Sequence, residues 1–497
     1  DHWLPPDNIQ EHPGLVVARR TSPTNIGLSL LANMAAWDFG YLQAAAVVQR
    51  TRQVFTTLDR MERHRGHFFN WYDTETLSPL PPRFISTVDS GNLGGHLLTL
   101  RQGLLGLIDA PVLAPQTFAG LADTLAVLGE VVEARAETPQ ELQSAMDACR
   151  VLLGGALAAP PVALADAAVV LDALAGVVDD IVATEAEANA AITHDGIDDS
   201  PALWAQRLQS GCRAARDIVQ AWDDMGSTEV GDTDRRIPSL RALCAPGVSP
   251  QLRAQAQAQV RELERLAHVA GQFSLMEYGF LYDAARHLLS IGYDVDSRRL
   301  DQGHYDLLAS EARLCSFVAI AQGQLPQETW FALGRLLTEV DGNATLLSWS
   351  GSMFEYLMPQ LVMPSYPDTL LDQTSRHVVQ AQIAYGRKHD VPWGISESGY
   401  NAVDARLNYQ YRAFGVPGLG LKRGLAEDLV IAPYATMMAL MVAPEAATQN
   451  LQRLHAAGAW GRFGFYEAID YTASRVPRGQ SHALVRSFMA HHQGMGF

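Results

Sequence analysis

The sequence predicts a mostly α-helical protein, and three observations carry that reading. Apolar residues recur at the 3.6-residue helical period through most of the 497 residues. The breaks between these stretches are short and carry Gly or Pro, which suits successive helices packed as hairpins. Strand-type alternation is scarce. "LLSIGYDVDSRRLD" at 288–301 is the best candidate for a small hairpin or an extended segment.

In chain order, the first helices are expected near 24–38, 40–63 and 89–108. Ser86 or Thr87 with Asp89 can start the third, as a cap followed by an acid in the first turn. A second group is expected near 115–135, 139–158, 163–193, 200–224 and 250–288. Between about 112 and 268 the sequence is alanine-rich and poor in aromatics, so it reads as a structural helical excursion. A third group is expected near 303–322, 326–338, 374–388, 431–442, 444–458 and 481–493. The outer portions, 1–110 and 270–497, are rich in Trp, Tyr, Gly and Pro or Asn, and read as one functional core. The expectation is a single catalytic domain, 1–497, interrupted by the excursion.

Composition removes several function classes. With 48% hydrophobic and 18% charged residues the chain has an ordinary globular profile. A net charge of −17 disfavours nucleic acid or an anionic membrane surface, so a neutral substrate fits better. Cys149, Cys212, Cys244 and Cys315 are far apart and form no CxxC, which points to free thiols in a reducing compartment. HExxH is absent, and adjacent His491 and His492 cannot both ligate from one helix face, so neither metal nor cofactor is expected. "GLGLKRG" at 418–424 misses both the dinucleotide and the P-loop spacing, and "GISESG" is not a nucleophile elbow. No run of 18 apolar residues is free of charge or proline. The chain opens on Asp1 and stops straight after a helical pattern, so a piece of a longer protein is expected.

Two glutamates stand out. In "HYDLLASEARLCSFVAIAQG", Glu311 falls at helical spacing inside the stripe of Leu307, Leu308, Leu314, Cys315 and Val318, with Arg313 pointing elsewhere. A carboxyl group there is either a paired structural acid or one with a raised pKa, suited to general acid catalysis. In "VPWGISESGY", Glu397 lies between two serines, with Gly394 and Gly399 allowing close backbone approach. It is either a first-turn acid of a helix capped by Ser396 or Ser398, or an active-site acid beside the flat faces of Trp393 and Tyr400. Asp73, Asp89, Glu355, Asp404, Glu467 and Asp470 also sit among aromatic or small residues, a mixture that suits a carbohydrate groove.

The runs "ARRTSPTNIGLSLLA", "HRGHFFNWYDTETLSPLPPRFISTVDSGNLGGHL", "HYDLLASEARL", "MFEYLMP", "VPWGISESGYN", "LNYQYRAFGVPGLGLKRGL", "LVIAPYAT", "GFYEAIDYT" and "MAHHQGM" resemble the central glycoamylase-like domain of bacterial cyclic β-1,2-glucan synthases, glycoside hydrolase family 189. The resemblance runs from Trp3 to Met495 and is weakest in the alanine-rich middle. It implies an (α/α)6 barrel with additional long helices. It also implies cleavage of linear β-1,2-glucan and transfer of the chain to its own non-reducing end, through a glycosyl-enzyme. Flanking glycosyltransferase and phosphorylase-like domains in the same polypeptide, on the cytoplasmic side of the inner membrane, are further implications.

By motif, the resemblance implies Glu397 as nucleophile and Glu311 as acid/base, with protonation through a substrate hydroxyl in related glucanases. The remaining motif residues are expected to line the substrate groove. Trp71, Tyr72, Trp393, Tyr400 and Tyr409 offer stacking faces. Asp73, Asp89, Asn92, Asn401, Arg412, Glu467 and Gln493 offer polar contacts. Two other outcomes stay open: a β-1,2-glucanase of the same fold, and a non-catalytic glucan-binding domain. The latter is expected to have lost a catalytic carboxylate, and both are present.

Overall fold

A computed structural model describes residues 1–135, 138–189, 200–223, 236–340 and 342–497. The fold is helix-rich, 51% helical with 16 helices among the described residues. It divides into two compact units. One comprises Asn33–Arg52 and Leu100–Val269. The other comprises Asp1–Ala32, Gln53–Thr99 and Ala270–Phe497.

The first unit follows the predicted helices, although the one expected over 250–288 ends at Phe273 and gives way to the strands Tyr282–Asp283 and Leu288–Ser290. Its main helices are Gln116–Glu133, Gln140–Ala158, Leu164–Asn189, Pro201–Asp223 and most of Pro250–Phe273. Leu125, Leu128, Met146, Leu153, Leu171, Leu174, Val178 and Leu208 form its core. Cys149 and Cys212 are free and buried there, and burial pushes both thiols up, to about 11 and about 12. The buried Glu185 accepts two bonds from Arg135, at 2.9 and 2.8 Å. The ends of the predicted helices 163–193 and 200–224 lie outside the described residues.

The second unit departs from the all-helical expectation. Helices alternate with strands of two to six residues, too short to show alternation in sequence. Asn8–Gln10 pairs antiparallel with Ser487–Met489. Phe84–Ser86 pairs with Gly292–Asp294, within the segment expected to be extended. Ser398–Val403 pairs with Tyr409–Arg412, and Val430–Ile431 with Ala468–Asp470. The predicted helix 303–322 is instead a strand, His304–Tyr305, a turn, and the helix Arg313–Ala321. The backbone at 306–308 is tied to Gly334 by two hydrogen bonds, Leu308 N–H to Gly334 O at 3.0 Å and Gly334 N–H to Asp306 O at 2.6 Å. That long-range pairing prevents the helix from starting earlier. The expected helix 481–493 likewise becomes the strands Ala483–Val485 and Ser487–Met489 and the helix Ala490–Gly496.

One packing contact sets the geometry of the site. Helix Thr87–Gly106 lies so close to helix Arg313–Ala321 that a Cβ at Gly91 would stand 2.2 Å from Cys315 Cβ. A Cβ at Gly95 would stand 3.1 Å from Leu314. The small residues of "SGNLGG" thereby bring Asp89 and Asn92, on the first turns of one helix, toward the turn that carries Glu311.

Candidate active site

Glu311 sits at the end of the turn before Arg313–Ala321, not on a helix face. The turn is held by Arg313, which is only 2% exposed. Its guanidinium donates to the carbonyls of Ser310 (3.1 Å), Glu355 (2.9 Å) and Tyr356 (2.6 Å). Glu311 itself accepts from the Ser310 hydroxyl at 3.3 Å. Arg313 was expected to point away from the apolar side; it is the side chain that anchors the turn.

Glu397 ends a loop and is followed by strand Ser398–Val403, so neither serine caps a helix. The loop is fixed from all sides. Gln382 mimics a strand partner, exchanging two 2.8 Å bonds with the backbone of Ile395. Ser396 Oγ accepts from Phe354 N–H at 3.0 Å. The Tyr434 hydroxyl lies 2.7 Å from Ser396 Oγ and 2.9 Å from the Glu397 carbonyl. Gly394 has φ of 125°, and a Cβ there would stand 2.8 Å from Thr436 Oγ1, so only glycine suits the position.

Both glutamates open into one cavity of about 810 Å³, within the range of small-ligand sites. Of the other predicted residues, Trp71, Asp89, Asn92 and Tyr409 line it. Thr24 donates to Asp89 at 2.6 Å, and Asn92 donates to Thr24 at 3.1 Å. The Asn70 amide, oriented to satisfy both neighbours, donates to Asp89 (3.0 Å) and accepts from Trp71 Nε1 (3.3 Å). The Arg20 guanidinium lies 4.4 Å from the centre of the Trp71 ring.

Eight predicted contacts lie elsewhere. Tyr72 is fully buried, its hydroxyl bonded to the backbone of Glu62 and Phe69. Asp73 closes a turn onto the N–H groups of Glu75 and Thr76. Trp393 is 4% exposed and belongs to the apolar core, so its ring does not meet the cavity. Tyr400 packs edge-on against Phe414 and under Arg475. Asn401 donates to the Arg475 carbonyl, Arg412 pairs with Asp428, and Gln493 donates to the Phe465 carbonyl. Glu467 is buried behind the cavity wall, bonded to Gly399 N–H and His492.

The electrostatics are unusual for the carboxyl groups. Burial raises Glu397 to about 8, and repulsion by Glu311 and Glu355 adds to this, against a lowering bond from Tyr411. Burial raises Glu311 to about 7, with repulsion by Glu355 second. Burial also pushes Asp89 up. Glu355 supplies the contrast. It accepts from the N–H groups of Trp349, Ser350 and Ser352 and from the hydroxyls of Ser348, Ser350 and Ser352, as the acid of a capping box. Six donors ring this carboxyl, and its charge acts on the two that have few. The arrangement keeps a proton on the Glu311–Glu397 pair near neutral pH, the condition for acid catalysis beside a nucleophile.

Sequence reasoning missed Asn70, Thr24, Tyr305 and Tyr411. Tyr305 feels the charges of Glu311, Asp89 and Glu397 together. Tyr411 lies within the quoted run "LNYQYRAFGVPGLGLKRGL", but its strand, Tyr409–Arg412, is too short for alternation to single it out. No group of three or more His, Cys, Asp or Glu among the described residues could hold a metal ion.

The chain is 41% identical over 505 residues to the cyclic β-(1,2)-glucan synthase NdvB of Rhizobium meliloti (strain 1021), across 99% of its own length. It is a relative of one segment of a cyclic β-1,2-glucan synthase. It spans 16% of that protein's length. Residues 303–497 match the family model "Glycoamylase: Putative glucoamylase". In three dimensions the chain is similar to the endo-β-1,2-glucanase from Chitinophaga pinensis, with TM-score 0.53 and 12% identity, covering 96% of this chain and 81% of that one. A Bacteroides caccae protein with the family model's description gives TM-score 0.51 and 13% identity, covering 99% and 86%. At such identities these two structures speak for the fold. Together the matches mark a glycoside hydrolase-type enzyme.

Proposed function

We propose that this domain is a retaining transglycosylase that converts linear β-1,2-glucan into cyclic β-1,2-glucan, with its helices organised as an (α/α)6 barrel. The observation that carries the proposal is the pair Glu311 and Glu397, open to one cavity and both driven toward protonation by burial and like charge. The identity to a cyclic glucan synthase supplies the substrate class.

In the proposed reaction Glu397 attacks the anomeric carbon and forms a glycosyl ester, while the glycosidic oxygen leaves with a proton supplied by Glu311, directly or through a substrate hydroxyl. In the second step the 2-hydroxyl at the chain's own non-reducing end attacks that carbon. Glu311 takes the hydroxyl proton and Glu397 leaves as carboxylate, so the β configuration is kept. High local concentration of the tethered end favours cyclisation over attack by water. Trp71, Asp89, Asn92 and Tyr409 are the proposed groove contacts. In the longer protein the domain is proposed to work beside glycosyltransferase and phosphorylase-like domains at the cytoplasmic face of the inner membrane. Among the described residues no helix is long and apolar enough to cross a membrane.

The test is incubation with linear β-1,2-glucan. Products resistant to an exo-acting β-glucosidase, without new reducing ends, support cyclisation. New reducing ends with fully digestible products identify a β-1,2-glucanase instead. Binding without turnover identifies a glucan-binding domain.

A further inference from the structure

Behind Glu397 lies a buried chain of hydrogen bonds that the two-carboxylate scheme does not use. Glu467 stands just before strand Ala468–Asp470 and is 2% exposed. It accepts from Gly399 N–H at 2.9 Å. Both of its oxygens lie 3.0 Å from His492 Nδ1. The proton of a neutral His492 is therefore on Nδ1, and Nε2 is left as an acceptor. Facing Nε2 at 3.4 Å is the Tyr411 hydroxyl. That same side chain lines the cavity with Glu397, its hydroxyl close enough to the carboxyl to lower it. Tyr434 clamps the assembly: its ring stacks on His492 with centroids 3.7 Å apart and an interplanar angle of 7°. Its hydroxyl holds the Glu397 backbone.

The Tyr411 hydroxyl has one proton and two acceptors, the Glu397 carboxyl and His492 Nε2. Tyr411 is 41% exposed, and the exposure opens into the cavity beside Glu397. Its partner His492 is 1% exposed and cannot turn away.

We propose that Tyr411, held by the Glu467–His492 pair, is a positioning residue that orients the Glu397 carboxylate for attack and redirects its hydroxyl to His492 once Glu397 is esterified. This rests on the nucleophile role given to Glu397 above. While Glu397 is an anion it is the stronger acceptor and receives the Tyr411 proton in a charge-assisted bond. When the ester forms, that charge is gone, and the hydroxyl rotates to the imidazole. No proton leaves the tyrosine. The phenol keeps an acceptor at either stage, and the carboxylate is restored as acceptor when the acceptor sugar displaces it.

The groups facing Glu397 set the sign of the test. Glu311, Glu355 and Glu467 raise it and Tyr411 lowers it. Tyr305 and Tyr434 also face it from their own elements, and His491 faces Glu467 from the C-terminal helix. Glu397 is the upper of the two titrations, so removing the Tyr411 donor moves the alkaline limb of the rate profile to higher pH and leaves less of Glu397 ionised at pH 7.

The experiment measures kcat and KM on linear β-1,2-glucan against pH for the 497-residue chain, for Tyr411→Phe, and for 3-fluorotyrosine placed at 411. A bond to a charged group is worth about tenfold to a hundredfold. Tyr411→Phe is expected to lose that much kcat at pH 7, with KM little changed and the alkaline limb moved upward. Fluorotyrosine, of nearly the same shape but a more acidic hydroxyl, is expected to move the limb downward. His492→Gln is expected to shift it in the same direction as Tyr411→Phe, by less. An alkaline limb unmoved by both changes at Tyr411, in an enzyme that Glu397→Gln inactivates, overturns this proposal alone. Activity retained in Glu397→Gln overturns the nucleophile reading and this proposal with it.

Discussion

The two units handle buried acid groups in opposite ways. In the helical unit, Glu185 is closed by a two-point bond to Arg135, and the buried thiols are held neutral. In the site-bearing unit, the buried cation beside Glu311 is spent on backbone carbonyls. Arg313 serves Ser310, Glu355 and Tyr356, while Glu311 is left facing the charge of Glu355, and Glu397 the charges of Glu311 and Glu355. The difference teaches where the fold stores chemistry. A carboxyl that is fully paired or fully solvated by donors, such as Glu185 or Glu355, stabilises a local structure. A carboxyl with too few donors holds a proton near neutral pH and can give it away.

The strongest way to break this contrast is to remove the two under-solvated carboxyls. Glu397→Gln and Glu311→Gln are each expected to lower the initial rate on linear β-1,2-glucan by about a thousandfold or more. Turnover near that of the unaltered chain in either variant removes that residue from its role.

Arg313→Met is the next largest expected effect. It removes the guanidinium from the carbonyls of Ser310, Glu355 and Tyr356 and loosens the Glu311 turn. A fall of about 3 kcal/mol in unfolding free energy is expected, together with lost activity. The matching change in the helical unit, Arg135→Met, leaves Glu185 buried and unpaired. Because Arg135 is itself 24% exposed, about 2 kcal/mol is expected there, with turnover per folded molecule unchanged. Denaturant unfolding and active-site-normalised rates check both. Equal loss of turnover in the two variants erases the distinction between the units.

A smaller effect concerns pH. Glu311 and Glu397 have folded-state values above those of the unfolded chain, so the stability they add is full at low pH and is lost as pH rises through about 7 and about 8. Glu397→Gln is thus expected to melt several degrees above the unaltered chain at pH 9 and to lose that advantage near pH 4. The rate profile is expected to be a narrow bell between the two titrations, since catalysis needs one carboxyl ionised and the other protonated. Melting curves with the same difference at both pH values contradict the raised values.

The helical unit was legible because its residues obey one local rule, the 3.6-residue stripe, from Gln116 to Phe273. The site-bearing unit was legible in its chemistry more than in its shape. Glu311 was singled out through a stripe that is not a helix; its burial was read correctly, while the turn depends on Gly334, which local periodicity cannot register. Trp393 and Tyr72 look like sugar platforms in sequence, but the core claims Trp393 and backbone bonds hold Tyr72. Tyr411, His492 and Glu467 meet only in three dimensions, across separations of 25 and 81 residues. The resemblance, rather than spacing, assigned the roles of the two glutamates.

The central claim is that Glu311 and Glu397 titrate as an interacting pair. Carbon-13 NMR of the glutamate carboxyls, followed against pH with Glu397 assigned by substitution, tests it directly. The prediction is that Glu397 titrates well above the ordinary glutamate range and falls markedly in Glu311→Gln. The same Glu397 titration with and without Glu311 contradicts it.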